Sequence, residues 1–307
     1  MVHALNARNG ETVWTYATGN KVFSAPFITS RLVVVTSCDG FVYALDKKDG
    51  SVRWRYDTGY PIVACPAVAG GNVYVGSSNG KFYSIRFADG TPDWIADGLD
   101  GYIESRPAID GAHIGTWGAM FYAIDRRTGE KVWKFDTGRG RYFSPGACWP
   151  VVLPYRKDGK SSEQVIVLSS DYFVRAFNPE DGKILWASDE AKGRESLGFS
   201  PDGKTMYIKG IKNNITAVDV SKGSYTPLWN TLMPYESNFI PTRMETTEEY
   251  VFIPTEFGVV HAVRTDGSGI AWSHKVSHSA VTSLKNAGDH RLIVMTMDGT
   301  VTCLAYP

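Results

Sequence analysis

Short apolar stretches alternate with polar residues along the whole chain and are broken every few residues by Gly, Asp or Asn. Phe41-Val-Tyr-Ala-Leu-Asp46 is typical. A period of two bounded by turn residues predicts β-strands, and no segment carries a helix signal. The strands recur in a fixed frame. Val42-Tyr-Ala-Leu-Asp46-Lys-Lys-Asp-Gly50-Ser-Val-Arg-Trp54 is matched by Phe121-Tyr-Ala-Ile-Asp125-Arg-Arg-Thr-Gly129-Glu-Lys-Val-Trp133. The same frame fits Val2 to Trp14, Phe82 to Trp94 and Val174 to Trp186, with looser copies from Ile215 to Trp229 and from Val260 to Trp272.

Each copy reads as follows. A strand ends at Asp or Asn, whose side chain bonds the backbone two residues on. Gly sits four residues later, at Gly10, Gly50, Gly90, Gly129, Gly182 and Gly223, where a hairpin needs positive φ. The return strand carries the tryptophan: Trp14, Trp54, Trp94, Trp133, Trp186, Trp229 or Trp272. Two further strands fill each interval, such as Phe23 to Thr29 and Leu32 to Thr36, followed by the turn Ser37-Cys-Asp-Gly40. The unit is four antiparallel strands, A to D, with Trp on strand D. A four-stranded sheet of about 40 residues cannot bury both faces alone; radial stacking into a propeller solves this. The seven tryptophans are expected as core, each ring packed against the neighbouring blade.

The frame A-[LI]-D-x-x-x-G-x-x-x-W, followed by Thr-Gly and a Ser-x-Pro strand, resembles the pyrroloquinoline-quinone-type (PQQ-like) propeller repeat. That superfamily includes quinoprotein alcohol dehydrogenases and the propeller lipoprotein of the outer-membrane β-barrel assembly complex. The resemblance implies an all-β propeller and an extracytoplasmic setting, periplasmic or secreted; it says little about function, and the seven-bladed ring is read from the repeat count itself. WD repeats fit worse, since no copy has Gly-His near its start or Trp-Asp at its end.

Six blades run from about Val22 to just beyond Trp272. The last segment supplies only A, near Val281, B, Arg291 to Thr296, and C, Thr300 to Ala305. Glu11 to Tyr16 is expected to close the ring as its missing strand D, although Val2 to Asn6 competes with Val301 to Ala305 for one slot. One propeller domain over residues 1–307 follows. The start part-way through a repeat predicts a fragment of a larger protein, with a further domain upstream.

Composition changes this picture little. Net charge is zero, with 32 basic and 32 acidic residues, so nothing marks a nucleic-acid partner or an anionic membrane. No apolar run reaches the length of a membrane helix, and the N-terminus lacks the apolar core of a signal peptide. Cys38, Cys65, Cys148 and Cys303 are far apart and form no C-x-x-C pair, and the six histidines have no H-x-x-x-H spacing. No metal site is expected. Two motif matches are rejected on context. Gly198-Phe-Ser-Pro-Asp-Gly-Lys-Thr205 satisfies the phosphate-loop pattern, but a strand follows where a helix is required. Gly76-Ser-Ser-Asn-Gly80 satisfies G-x-S-x-G and likewise precedes a strand.

A binding site is expected where D–A and B–C loops meet at one mouth. Glu104 and Arg106 share one side of a strand there, with Trp117, Arg141, Trp149, Glu195, Glu236 and Asn238 on the same rim. Two tryptophans beside Arg and Glu suit a sugar, a peptide or a quinone, and opposite charges in a partly buried mouth orient a polar ligand; the competing reading is a solvated rim. The insertion Pro154 to Glu163 reads as an exposed charged loop at the opposite mouth, and as a partner contact. The favoured function is a non-catalytic module or scaffold binding a protein or small polar ligand, without a cofactor. The alternatives are a dehydrogenase using PQQ and calcium, against which stand the absent Cys-Cys pair and eighth blade, and a propeller lyase or hydrolase using Glu104 or Glu195.

Overall fold

A computed structural model describes residues 1–110, 113–117, 120–136, 150–169, 171–233 and 242–307. Among them there is no helix, and every sheet is antiparallel with its strands in chain order. The chain divides into two compact units, Met1–Pro150 with Glu180–Gly182 and Val151–Pro179 with Lys183–Pro307.

The first unit opens with a hairpin, β1 (Val2–Leu5) and β2 (Thr12–Tyr16). Three four-stranded sheets follow. The first holds β3 (Phe27–Ile28), β4 (Leu32–Thr36), β5 (Phe41–Asp46) and β6 (Val52–Asp57). The second holds β7 (Ala67–Ala69), β8 (Asn72–Gly76), β9 (Phe82–Arg86) and β10 (Pro92–Ala96). The third holds β11 (Ala108–Ile109), β12 (His113–Trp117), β13 (Phe121–Asp125) and β14 (Lys131–Phe135).

The second unit has a fourth sheet of β15 (Val151–Lys157), β16 (Lys160–Leu168), β17 (Val174–Phe177) and β18 (Ile184–Ser188). The fifth holds β19 (Gly193–Phe199), β20 (Thr205–Gly210), β21 (Asn214–Asp219) and β22 (Thr226–Leu232). The sixth holds β23 (Glu245–Thr246), β24 (Tyr250–Pro254), β25 (Val259–Arg264) and β26 (Ile270–Lys275). A three-stranded sheet of β27 (Val281–Gly288), β28 (Arg291–Thr296) and β29 (Val301–Ala305) ends the chain.

The cores lie between sheets. Val42 and Ala44, on one face of β5, pack with Val73, Val75 and Tyr83 of the next sheet. Tyr43 and Leu45, on the other face, pack with Trp14. Middle strands are thus buried on both faces, which is why strands B and C are apolar almost throughout, while strand D alternates.

Strand D docks each sheet on the next. Its tryptophan pairs with a small residue of strand C: Ala4 with Trp14, Ala44 with Trp54, Ser84 with Trp94, and so on to Ala262 with Trp272. A register shift falls beside each pair, turning the ring toward its neighbour. In the first unit the rule is uniform. The indole N–H groups of Trp14, Trp54 and Trp94 donate to the carbonyls of Lys47, Phe87 and Arg126. Their rings lie over Gly50, Gly90 and Gly129, where an added Cβ would stand 2.6 to 2.7 Å from a ring carbon. The frame therefore needs glycine for ring contact as well as for its positive φ. Trp133 covers Gly182 in the same way.

Among the described residues β2 pairs with β1, a hairpin whose short turn loses little chain entropy, and β29 pairs with β28. One detail differs from the sequence reading. The insertion from Pro154 to Glu163 is no loop. It lengthens β15 and β16 into a paired hairpin, Tyr155 opposite Ser162, that turns at Asp158 and Gly159.

Candidate functional site

The rim of the first unit is built by the starts of strand A in successive sheets. Ser24-Ala25-Pro26, Ala64-Cys65-Pro66 and Ser105-Arg106-Pro107 are equivalent triplets. Thr36, at the end of β4, ties two of them together. Its hydroxyl is 2.6 Å from Ser24 Oγ and donates to the Ala64 carbonyl at 2.7 Å. The Ala25 N–H donates to Cys65 Sγ at 3.2 Å. Arg106 stands next along, its guanidinium 5.5 Å from the centre of the Phe27 ring.

Burial pushes the Cys65 thiol upward; the Ala25 N–H and the Arg106 charge pull the other way. Desolvation lowers the Arg106 pKa, yet an arginine so placed remains a cation. A half-buried guanidinium against an aromatic face suits a carboxylate or a backbone carbonyl of a ligand. Glu104 is two residues before Arg106 in the segment that leads into β11 at Ala108.

In the second unit Lys209, at the end of β20, is only 6% exposed. It occupies the strand-B position held by Thr36 in the first sheet, as their equivalent registers show. Burial, and then the Lys209 charge, depress the pKa of His261, whose Nδ1 is 2.7 Å from Ser273 Oγ. The β19–β20 register jumps between Gly193 and Leu197, so the backbone of residues 194–196 bulges opposite Lys209. That places Glu195 on the bulge. Trp117 lies at the end of β12. Arg141, Trp149, Glu236 and Asn238 fall outside the described residues.

Both rejected motifs are turns. Gly198 to Thr205 joins β19 to β20, with Gly203 N–H donating to the Ser200 carbonyl. Ser77 is buried, and its carbonyl accepts from Gly80. Sequence reasoning missed Lys209, although a lysine at a strand end that elsewhere carries Thr, Gly, Trp, Leu, Pro or Met is a visible signal. It also missed a shallow cleft of about 190 Å³ lined by Glu190, Thr216, Tyr225, Leu228, Trp229 and Asn230. Its signal was the lengthened interval from Gly223 to Trp229.

A family model described as outer membrane protein assembly factor BamB matches residues 1–98 and 113–231. The chain belongs to that family. BamB from Moraxella catarrhalis is similar in structure, with a TM-score of 0.72 and 19% identity over 97% of this chain and 87% of that one. A quinohemoprotein alcohol dehydrogenase from Comamonas testosteroni gives 0.74 at 14% identity, over 96% of this chain and 67% of that one. A europium-containing methanol dehydrogenase gives 0.71 at 13%, over 96% and 78%. No curated protein matches the chain in sequence. At these identities the solved structures establish the fold, a β-propeller of PQQ-like blades, as expected from the repeat. Enzymes and an assembly factor share it, so the BamB-family repeat does not by itself choose between catalysis and binding.

The residues described give PQQ and calcium little to hold. No group of three His, Cys, Asp or Glu side chains gathers among them as a metal site would require. The sequence has no adjacent cysteines. No helix among the described residues is long and apolar enough to cross a membrane.

Proposed function

We propose that the chain is a non-catalytic propeller module that binds a protein partner outside the cytoplasm, in the manner of an assembly factor. The observation that carries this reading is the match to the BamB family over most of the chain. The rim chemistry supports it. Arg106 is held against Phe27 beside Cys65, and Lys209 is buried at the equivalent end of a strand in the second unit. Such sparse, desolvated cations orient a partner's carboxylates or backbone carbonyls.

The test is affinity isolation from an envelope fraction with tagged wild-type chain and with Arg106→Ala and Lys209→Met variants, partners being identified by mass spectrometry. Loss of a specific partner in either folded variant supports the rim as the contact. Identical recovery with all three chains rejects it. Calorimetric titration with PQQ and calcium tests the dehydrogenase alternative: no heat is expected, and one-to-one micromolar binding would replace this reading with a quinoprotein enzyme.

A further inference from the structure

We propose that the cleft between the fourth and fifth sheets receives an arginine side chain of a partner protein, its guanidinium lying against the aromatic wall and pairing with Glu190. This rests on the binding-module reading and adds to it a second contact, opposite in charge to the rim.

The cleft follows from two residues added to the repeat frame. Trp54 stands four residues after Gly50, whereas Trp229 stands six after Gly223. The extra length brings in Tyr225, whose ring centre is 5.8 Å from that of Trp186. It also leaves Leu228 bulged between Pro227, which pairs with Val218, and Trp229, which pairs with Ala217. Leu228 is 53% exposed and lines the cleft with the Tyr225 and Trp229 rings. Glu190 and Ala191, in the connection from β18 to β19, complete the lining. A volume of about 190 Å³ is below the roughly 300–1,000 Å³ of a site for a whole small-molecule ligand; it suits one side chain.

The first unit shows what such a groove holds. Between its second and third sheets, Lys131 Nζ donates to the Gly98 carbonyl at 3.1 Å. Lys131 stands two residues before Trp133 and opposite Ile124, and Gly98 lies two residues beyond β10. The corresponding places in the fourth and fifth sheets are taken by Pro227, opposite Val218, and by Glu190, two residues beyond β18. The chain's own cation is thus missing, and a carboxylate stands where a carbonyl accepted it. Proline alone does not set this groove apart. Pro92 holds the same place in the second sheet, but there Thr58 stands for Glu190 and no charge is left over.

The charge of Glu190 is uncommitted. Its neighbour Asp189 pairs with Lys192, whereas Glu190 forms no ion pair among the described residues. Burial raises the Tyr225 pKa first; Ser188 opposes the rise, and the charges of Glu190 and Asp189 add to it, so the carboxylate acts on the aromatic wall. Asn230 Nδ2 donates to Thr216 Oγ1 at 3.0 Å, which leaves Asn230 Oδ1 as a second acceptor at the cleft. A guanidinium matches all of this. It has a flat face for the rings, several N–H donors for two acceptors, and an apolar stem to lie along Leu228. An ammonium has no flat face and holds its water more tightly. A neutral sugar would leave the carboxylate unanswered.

The probe is N-acetyl-arginine amide, titrated into the full chain and read by the Trp229 indole N–H signal in an NMR spectrum of isotope-labelled tryptophan, assigned by its loss in Trp229→Phe. We expect a saturable shift. The lysine and citrulline analogues should bind about fivefold more weakly, and Glu190→Gln should weaken arginine binding by the same factor, the scale of one exposed charge pair. Glu190→Gln should melt at the wild-type temperature, since the residue is exposed. Pro227→Lys, which restores the chain's own cation, should abolish binding. No saturable shift, equal affinity for lysine or for citrulline (the same shape without the charge), equal affinity of either variant, or tighter binding of methyl glucoside would each overturn the proposal. Affinity isolation then asks whether a protein supplies the arginine. A partner recovered by the wild-type chain should be depleted with Glu190→Gln, and equal recovery would overturn the docking role. Recovery of no partner by the wild-type chain would strike the binding-module reading, while the titration, which contains no protein partner, would still decide the arginine site.

Discussion

The first unit and the fourth sheet, which opens the second unit, solve the same docking problem differently, whereas Trp229 of the fifth sheet returns to the first unit's solution. From Trp14 to Trp94 the solution is uniform: indole N–H to a carbonyl of the next sheet, ring over the glycine of the next C–D turn. In the fourth sheet this arrangement is broken and rebuilt. Trp186 donates instead to Gln164 Oε1 on its own sheet at 3.0 Å, and Gln164 Nε2 donates onward to the Val220 carbonyl at 2.7 Å. The ring over Gly223 is Tyr155, from the lengthened β15–β16 hairpin, 2.5 Å from the place of a Cβ. Trp186 itself turns to Tyr225, 5.8 Å between ring centres. The donor stays Trp186 and the last acceptor stays the carbonyl that follows the next strand C; Gln164 is inserted between them, and Tyr155 supplies the aromatic plate. What the fold requires at this point is the physical contact, and the tryptophan is one way to make it.

The largest test of that comparison is truncation of the docking ring. Trp54→Ala should cost about 3–5 kcal/mol, as for buried aromatic truncations generally. Trp186→Ala should cost clearly less, because Tyr155 still covers Gly223; denaturant melts of both variants check the ordering, and equal losses would refute the division of labour. Tyr155→Ala should be the costly change in the fourth sheet, about 3 kcal/mol by the same reasoning. A cost near zero would mean that the hairpin is only a surface extension.

Gln164→Leu sharpens the relay. It leaves the Trp186 Nε1 without its acceptor, about 1–3 kcal/mol for such an orphaned group, while the Val220 carbonyl keeps the Gly223 N–H. The same change in melting temperature for Gln164→Leu alone and combined with Trp186→Phe would show that the two act through one network.

The smallest effect is one of pH. The His261 pKa is depressed by burial first and by Lys209 second. The unfolded chain therefore binds that proton more readily, so its contribution is complete above about pH 6.5 and is lost as pH falls below it. Stability should decline on mild acidification, and His261→Gln should flatten that limb. At the alkaline end both units respond alike. Tyr122 and Tyr207 are each pushed up to about 12, by burial first in both cases, so their contribution is complete below pH 10 and is lost as pH rises from there.

Much of this architecture was legible in the chain. The frame from Val42 to Trp54 fixes strand C, the turn and strand D, and the structure has those strands at Phe41–Asp46 and Val52–Asp57. The period is local, and the glycines and tryptophans are its punctuation. Strand A was harder. The pattern predicts strand from Phe23 to Thr29, yet only Phe27–Ile28 pairs: Ser24 meets β4 through its side chain, on the Thr36 carbonyl, and the Ala25 N–H donates to Cys65 Sγ of the next sheet. Of the rim, Glu104 and Arg106 were named from sequence, whereas Lys209 was hidden inside an apolar strand.

The sequence by itself determined the all-β class, the blade repeat, the seven docking tryptophans and the failure of both enzyme motifs, because each depends on contacts within one repeat. Only the tertiary structure decided which partner each tryptophan meets and why Tyr155 replaces one of them. Those outcomes depend on residues tens of positions apart competing for one place. The winner is set by chain entropy and by fit in three dimensions, neither of which a local pattern records.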